Sequence, residues 1–91
     1  MTTTFEWDTA KEQANLKKHG IDFEIACLVF NDPNRIEFFD AAHSTFDEDR
    51  YITIGFVGEV LTVVYTIRNE MIRIISARVA TKKEKEAYYG A

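Results

Sequence analysis

Two arginines bracket an apolar tetrapeptide in "RIISAR", Arg73 and Arg78, and lysines follow at 82, 83 and 85. A guanidinium is a rigid fork of donors that grips a phosphate through two parallel hydrogen bonds. Upstream, Arg50 opens an apolar stretch beside Tyr51, an aromatic ring of the kind a nucleobase stacks on. His43 lies in the acidic segment before it, and Lys18 and His19 sit together ahead of Gly20. These residue types suit the binding of a ligand that carries phosphates and bases.

Each residue also has a plainer explanation. Lys82, Lys83 and Lys85 fit a solvated helix face, and Arg73 fits an ion pair across a sheet. Arg78, beside apolar residues, needs a partner or a ligand, and Glu84 is a candidate partner. His43 fits an exposed loop, and His19 fits a helix end whose dipole favours a cation. Trp7, Tyr88 and Cys27 fit packing roles. The histidines and the single cysteine do not fall at zinc-ligand spacing, and the four glycines are isolated. No metal or cofactor is expected.

The chain has 91 residues, enough for one domain (1–91) with one core at 46% hydrophobic and 13% aromatic content. One cysteine excludes an internal disulfide and suits a reducing compartment. No apolar stretch approaches ~18 residues, and "MTTTFEWD" lacks a leader pattern, so the chain reads as soluble and cytoplasmic, away from membranes. The net charge of −4 is segregated: residues 68–91 carry a local +3 and residues 1–67 a local −7. An acidic total argues against indiscriminate nucleic-acid binding, while a local basic patch can still act.

Positioning elements follow from local signals. Asp8 caps a helix that ends at Gly20, and Asp22 caps a second that Pro33 stops. Phe23, Ala26, Cys27 and Phe30 form the apolar stripe of the second helix. "RIEFF", "RYITIGFV", "VLTVVYTIR" and "MIRIISARV" read as strands, with 50–57 and 60–68 antiparallel. Thr81 and Glu84 have capping-box spacing, so a third helix starts there. Two-residue turns at 58–59 and 69–70 pair Phe56 with Leu61, Ile52 with Tyr65, Tyr65 with Ile74 and Val63 with Ser76. That register puts Arg73 on the open face and Arg78 on the apolar one. A slip of one residue exchanges the faces.

The segments "FEWDTAKEQANLKKHGIDFEIACLVFND", "RYITIG", "VVYTIR" and "RIISARVATKKEKEAYY" resemble the BrnT toxin family. "NLKKHG" and "RIISARVA", in that order, carry most of the resemblance. It implies an α+β, RelE-like fold, with two N-terminal helices and a C-terminal helix on a small antiparallel sheet. It implies the toxin of a type II toxin–antitoxin pair, a metal-independent endoribonuclease that cleaves RNA and inhibits translation. The implied partner is a BrnA-like ribbon-helix-helix antitoxin, through which operator DNA is bound indirectly. The family's site residues match Lys18, His19, His43, Arg50, Arg73 and Arg78. Arg73, Arg78, His43 and His19 are then the expected catalytic residues. Lys18, Arg50, Tyr51 and Lys82 are the expected RNA contacts. The chain departs from the basic charge usual for such toxins. This supports the competing reading of an interaction module with weak or no cleavage.

Overall fold

The computed structural model describes residues 3–90. Met1, Thr2 and Ala91 lie outside the described residues, including the start of the segment read as leader-free. The elements are β1 (Phe5–Trp7), α1 (Thr9–His19), α2 (Phe23–Leu28) running into a 3₁₀ turn (Val29–Asn31), β2 (Ile36–Phe39), β3 (Arg50–Phe56), β4 (Val60–Arg68), β5 (Met71–Val79) and α3 (Lys82–Tyr89). The strands form one sheet in the order β1-β5-β4-β3-β2.

The helix boundaries follow their caps. The Asp8 side chain accepts the Lys11 N–H at 3.1 Å, and Gly20, at φ 72°, donates its N–H to the Leu16 carbonyl. Only a residue without Cβ takes that left-handed backbone at no steric cost. Asp22 accepts the Ile25 N–H at 2.8 Å, and Thr81 and Glu84 form the reciprocal capping box. Phe23 and Ala26 of α2 bury completely against Leu61, Val63, Ile74 and Ala77. α3 lies on the opposite face, with Tyr88 over Ile54, Val60 and Ala80.

Three expectations are corrected. The sheet is mixed, because β1 joins its edge parallel to β5, with Phe5 opposite Ile72 and Trp7 opposite Ile74. Three residues are too few to show a strand period, so this element left no signal. The β3–β4 register is one residue away from that expected, with Phe56 opposite Val60 and Tyr51 opposite Tyr65. The turn takes in Val57, whose N–H donates to the Glu59 carbonyl at 2.9 Å, and Gly58 has φ 71°. All β3 side chains therefore exchange faces relative to β4. In β4–β5, the turn at 69–70 does set Tyr65 opposite Ile74. A bulge then follows, and Val64 faces Ser76 while Val63 faces Ala77. Ile75 is the extra residue. Arg73 and Arg78 would point to opposite faces of a regular strand; the bulge puts both on the face that carries α3.

Asn15, in the "NLKKHG" segment, closes the edge of β5 beyond the end of β1. Its side chain donates to the Ala77 and Ile21 carbonyls at 2.8 and 2.9 Å and accepts the Ala77 N–H at 3.1 Å. Gly55 lets the 3₁₀ turn sit directly on β3. A Cβ there would lie 2.9 Å from Val29 Cγ1 and 3.2 Å from the Val29 carbonyl oxygen. Gly55→Ala is expected to destabilise by about 1–3 kcal/mol through overpacking, read as a lower urea midpoint at an unchanged m-value.

Candidate functional site

One row of side chains crosses the α3-bearing face at the end of the sheet that α3 leaves uncovered. Cross-strand partners share a face. Glu6 pairs with Arg73, Arg73 with Thr66, and Thr66 with Arg50. Asp40 continues β2 opposite Arg50, donating its N–H to the Arg50 carbonyl at 2.8 Å. The row thus runs Glu6, Arg73, Thr66, Arg50, Asp40. Strands lie about 4.8 Å apart, so Arg73 and Arg50 stand about 10 Å apart on either side of Thr66. Thr66 itself is buried, its hydroxyl donating to the Asp49 carbonyl at 2.6 Å, so the two arginines flank a covered position of the sheet.

His43 joins this row through Asp40. Its Nδ1 lies 2.9 Å from Asp40 Oδ2. Asp40 is buried, while the His43 side chain is 70% exposed. A carboxylate facing Nδ1 suits the tautomer of a neutral imidazole that carries its proton there, with the lone pair on Nε2 at the far side of the ring.

All five arginines touch a carboxylate, but in different ways. Arg50 uses Nε on Glu48 at 2.8 Å, and Arg73 places one terminal nitrogen 3.6 Å from Glu6. Each keeps the rest of its five donors. Arg78 spends both terminal nitrogens on Glu84, at 2.7 and 2.9 Å. Glu84 also accepts the Thr62 hydroxyl at 3.1 Å and the Thr81 N–H at 2.8 Å. Arg78 is thereby the tie that holds the first turn of α3 to the sheet. Opposite Thr62 where Arg73 is opposite Thr66, it stands about 13 Å along the strand from Arg73. The remaining two pairs are Arg68 with Glu48 at 3.9 Å and Arg35 with Glu37 at 2.8 Å.

The ionisation of these groups follows the pairing. The hydrogen bond from Arg78 holds the Glu84 carboxyl at about 2, against its burial, and Glu84 in turn raises Arg78. The hydrogen bond from Arg50 holds Glu48 below the ordinary carboxylate range. Burial, then Glu24 and Asp22, push the Cys27 thiol up to about 11, which makes it a packing residue, not a nucleophile.

The other expected site residues lie apart from the row. Lys18 and His19 occupy the last turn of α1, in the helix layer on the far side of the sheet. Tyr51 points away from Arg50, as neighbours in a strand must. It stacks on Tyr65 at 5.4 Å and takes the edge of Phe39 at 5.8 Å. Lys82 is exposed at the start of α3. Among the described residues no group of three His, Cys, Asp or Glu is placed to hold a metal ion. Between the row and α3 runs an apolar groove of about 400 Å³ lined by Phe38, Ile52, Ile54 and Ala87.

Glu6, Asp40 and Glu48 escaped the sequence reading. Asp40 and His43 stand three apart, a spacing that brings side chains together in a turn, and this was a usable signal. Glu6 meets Arg73 only through the fold, and nothing local announces it.

A family model described as the ribonuclease toxin of type II toxin–antitoxin systems, BrnT, matches residues 7–84. The chain is therefore a toxin of that class. It belongs to the BrnT family. Its fold is similar to the 1.1 Å crystal structure of the Brucella abortus ribonuclease toxin BrnT, with a TM-score of 0.66 and 27% sequence identity over 89% of this chain and 100% of that one. A search of curated protein sequences finds no match. No helix among the described residues is long and apolar enough to cross a membrane.

Proposed function

We propose that this chain is a single-domain, RelE-like endoribonuclease that cleaves RNA without a metal ion, with its site on the Arg73–Thr66–Arg50 row. The observation that carries this reading is the row itself: two arginines with unspent donors flank a threonine, and a histidine with an outward Nε2 stands at one end. His43 Nε2 takes the proton of the ribose 2′-hydroxyl. The 2′-oxygen then bonds to phosphorus as the bond to the 5′-oxygen breaks, and that oxygen leaves as a hydroxyl after protonation by water. Arg73 and Arg50 hold the phosphorane oxygens. The groove beside the row gives unstacked bases an apolar surface. Arg78 acts by anchoring α3, and Lys18, His19 and Lys82 contribute positive charge at the surface. Cleavage inhibits translation, and a BrnA-like ribbon-helix-helix antitoxin neutralises the toxin in the cytoplasm and carries the complex to operator DNA.

Purified protein incubated with RNA tests this. Cleavage is expected to persist in EDTA and to leave 2′,3′-cyclic phosphate and 5′-hydroxyl ends. Loss of activity in EDTA, or 5′-phosphate ends, would overturn the chemistry. A second reading, an interaction module without cleavage, is favoured by the carboxylate partners on all five arginines. Intact RNA together with tight antitoxin binding is the result that selects it.

A further inference from the structure

We propose that Asp40 is a positioning residue that fixes the tautomer and direction of His43; the inference rests on the reading of His43 as the proton-transfer group. Three observations carry it. Asp40 is a buried carboxylate, 7% exposed, and its side chain meets no lysine or arginine among the described residues. Charge removed from water needs a partner, and His43 is the one it has. Its Oδ2 lies 2.9 Å from His43 Nδ1, and its Oδ1 accepts the His43 backbone N–H at 3.3 Å. One carboxylate thus grips both the ring and the backbone of the same residue.

The support beneath Asp40 is equally fixed. Its carbonyl accepts the Ser44 N–H at 3.0 Å and the Ser44 hydroxyl at 2.7 Å, and the same hydroxyl accepts the Arg50 N–H at 2.8 Å. The loop that carries His43 is therefore stitched to the first residue of β3, whose side chain belongs to the row. A histidine on an untethered loop would sample many directions. This one has its ring nitrogen anchored at the buried end and its Nε2 in solvent, at the edge of the arginine row. A neutral imidazole protonated on Nδ1 presents a lone pair at Nε2, the form able to accept a hydroxyl proton.

Asp40→Asn separates this role from a purely structural one. Asparagine keeps the oxygen that accepts the His43 backbone N–H, so the loop is expected to hold, with a melting temperature close to that of the wild type. Its amide group replaces Oδ2 with a donor, and a donor facing Nδ1 favours the other tautomer. Imidazole ¹⁵N NMR, with the His43 signals assigned by their loss in His43→Gln, is expected to show the Nδ1-protonated form in the wild type and a shift toward the Nε2-protonated form in Asp40→Asn. RNA cleavage is expected to fall about 10²-fold in kcat at unchanged KM, within the range for loss of a correctly presented base. An Nε2-protonated His43 in the wild type, or a tautomer unmoved by Asp40→Asn, would overturn the proposal. So would full cleavage by Asp40→Asn alongside a dead His43→Gln. Wild-type rates in His43→Gln overturn the reading beneath it instead, whatever the tautomer.

Discussion

Arg73→Ala is expected to lower RNA cleavage by about 10²–10³-fold while leaving the fold intact, the range seen when one preorganised charge stabiliser is removed. Arg73 is a quarter exposed, and its contact with Glu6, at 3.6 Å, is longer than a hydrogen bond. Little stability is therefore tied to its side chain, because a partly exposed ion pair is worth about 0–1 kcal/mol. Arg50→Ala is expected to act in the same direction, since Arg50 flanks Thr66 on the other side and spends only its Nε on Glu48. Lysine should rescue either site poorly, because an ammonium group lacks the planar fork. Single-turnover cleavage and thermal melting on the same preparations check this. Arg73→Ala with undiminished cleavage would remove the row as the site.

Arg78→Ala should do the opposite: lower stability first, and activity only through the fold. Both terminal nitrogens of Arg78 end on Glu84, which is also the capping residue of α3 and the acceptor for Thr62. Removing the guanidinium strands a carboxylate that is about one-fifth exposed. Hydrogen bonds to charged groups are worth about 1.5–3 kcal/mol, and screening by solvent at this partly exposed pair argues for the lower part, about 1.5–2 kcal/mol. In a domain of this size each kcal/mol moves the melting temperature by about 4–8 °C. The pH dependence has a definite sign. Glu84 titrates at about 2 in the folded protein against an ordinary 4.5. Its contribution is complete above the unfolded value and is lost as pH falls from about 4.5 toward 2. The wild type should therefore outlast Arg78→Ala at pH 7, and the gap should narrow on acidification through that window. A pH-independent gap would dissociate the Arg78–Glu84 pair from stability.

How far the sequence discloses this molecule depends on the range of the signal. Caps act over three or four residues, and Asp8, Gly20, Asp22 and the Thr81–Glu84 box stand in the structure as read. The 69–70 turn, with Asn69 and Glu70 at positive φ, also sets the register it implied. The 58–59 turn did not, because a glycine suits position two of a longer loop as well as position one of a shorter one. The bulge at Ile75 has no local mark, since isoleucine is an ordinary strand residue. Together these two irregularities decide which face each arginine uses. The candidate site was legible as a set of residue types, and Arg50, Arg73 and His43 do come together. Of the acids that pair with them, Glu6 was not legible, since it meets Arg73 only through the pairing of β1 with β5, whereas Asp40 and Glu48 lie within three residues of His43 and Arg50 and left a local signal.

The parallel strand at the sheet edge has a consequence for the life of the chain. Glu6 sits near one terminus and its neighbour Arg73 near the other, with β1 paired to residues 72–74. β1 can join the sheet only on the edge that β5 provides, and closing so long a loop is slow. A polypeptide still emerging from the ribosome folds from its N-terminal side, and it has β1 in hand long before β5 exists. The row across the sheet therefore cannot be complete until β5 has been synthesised.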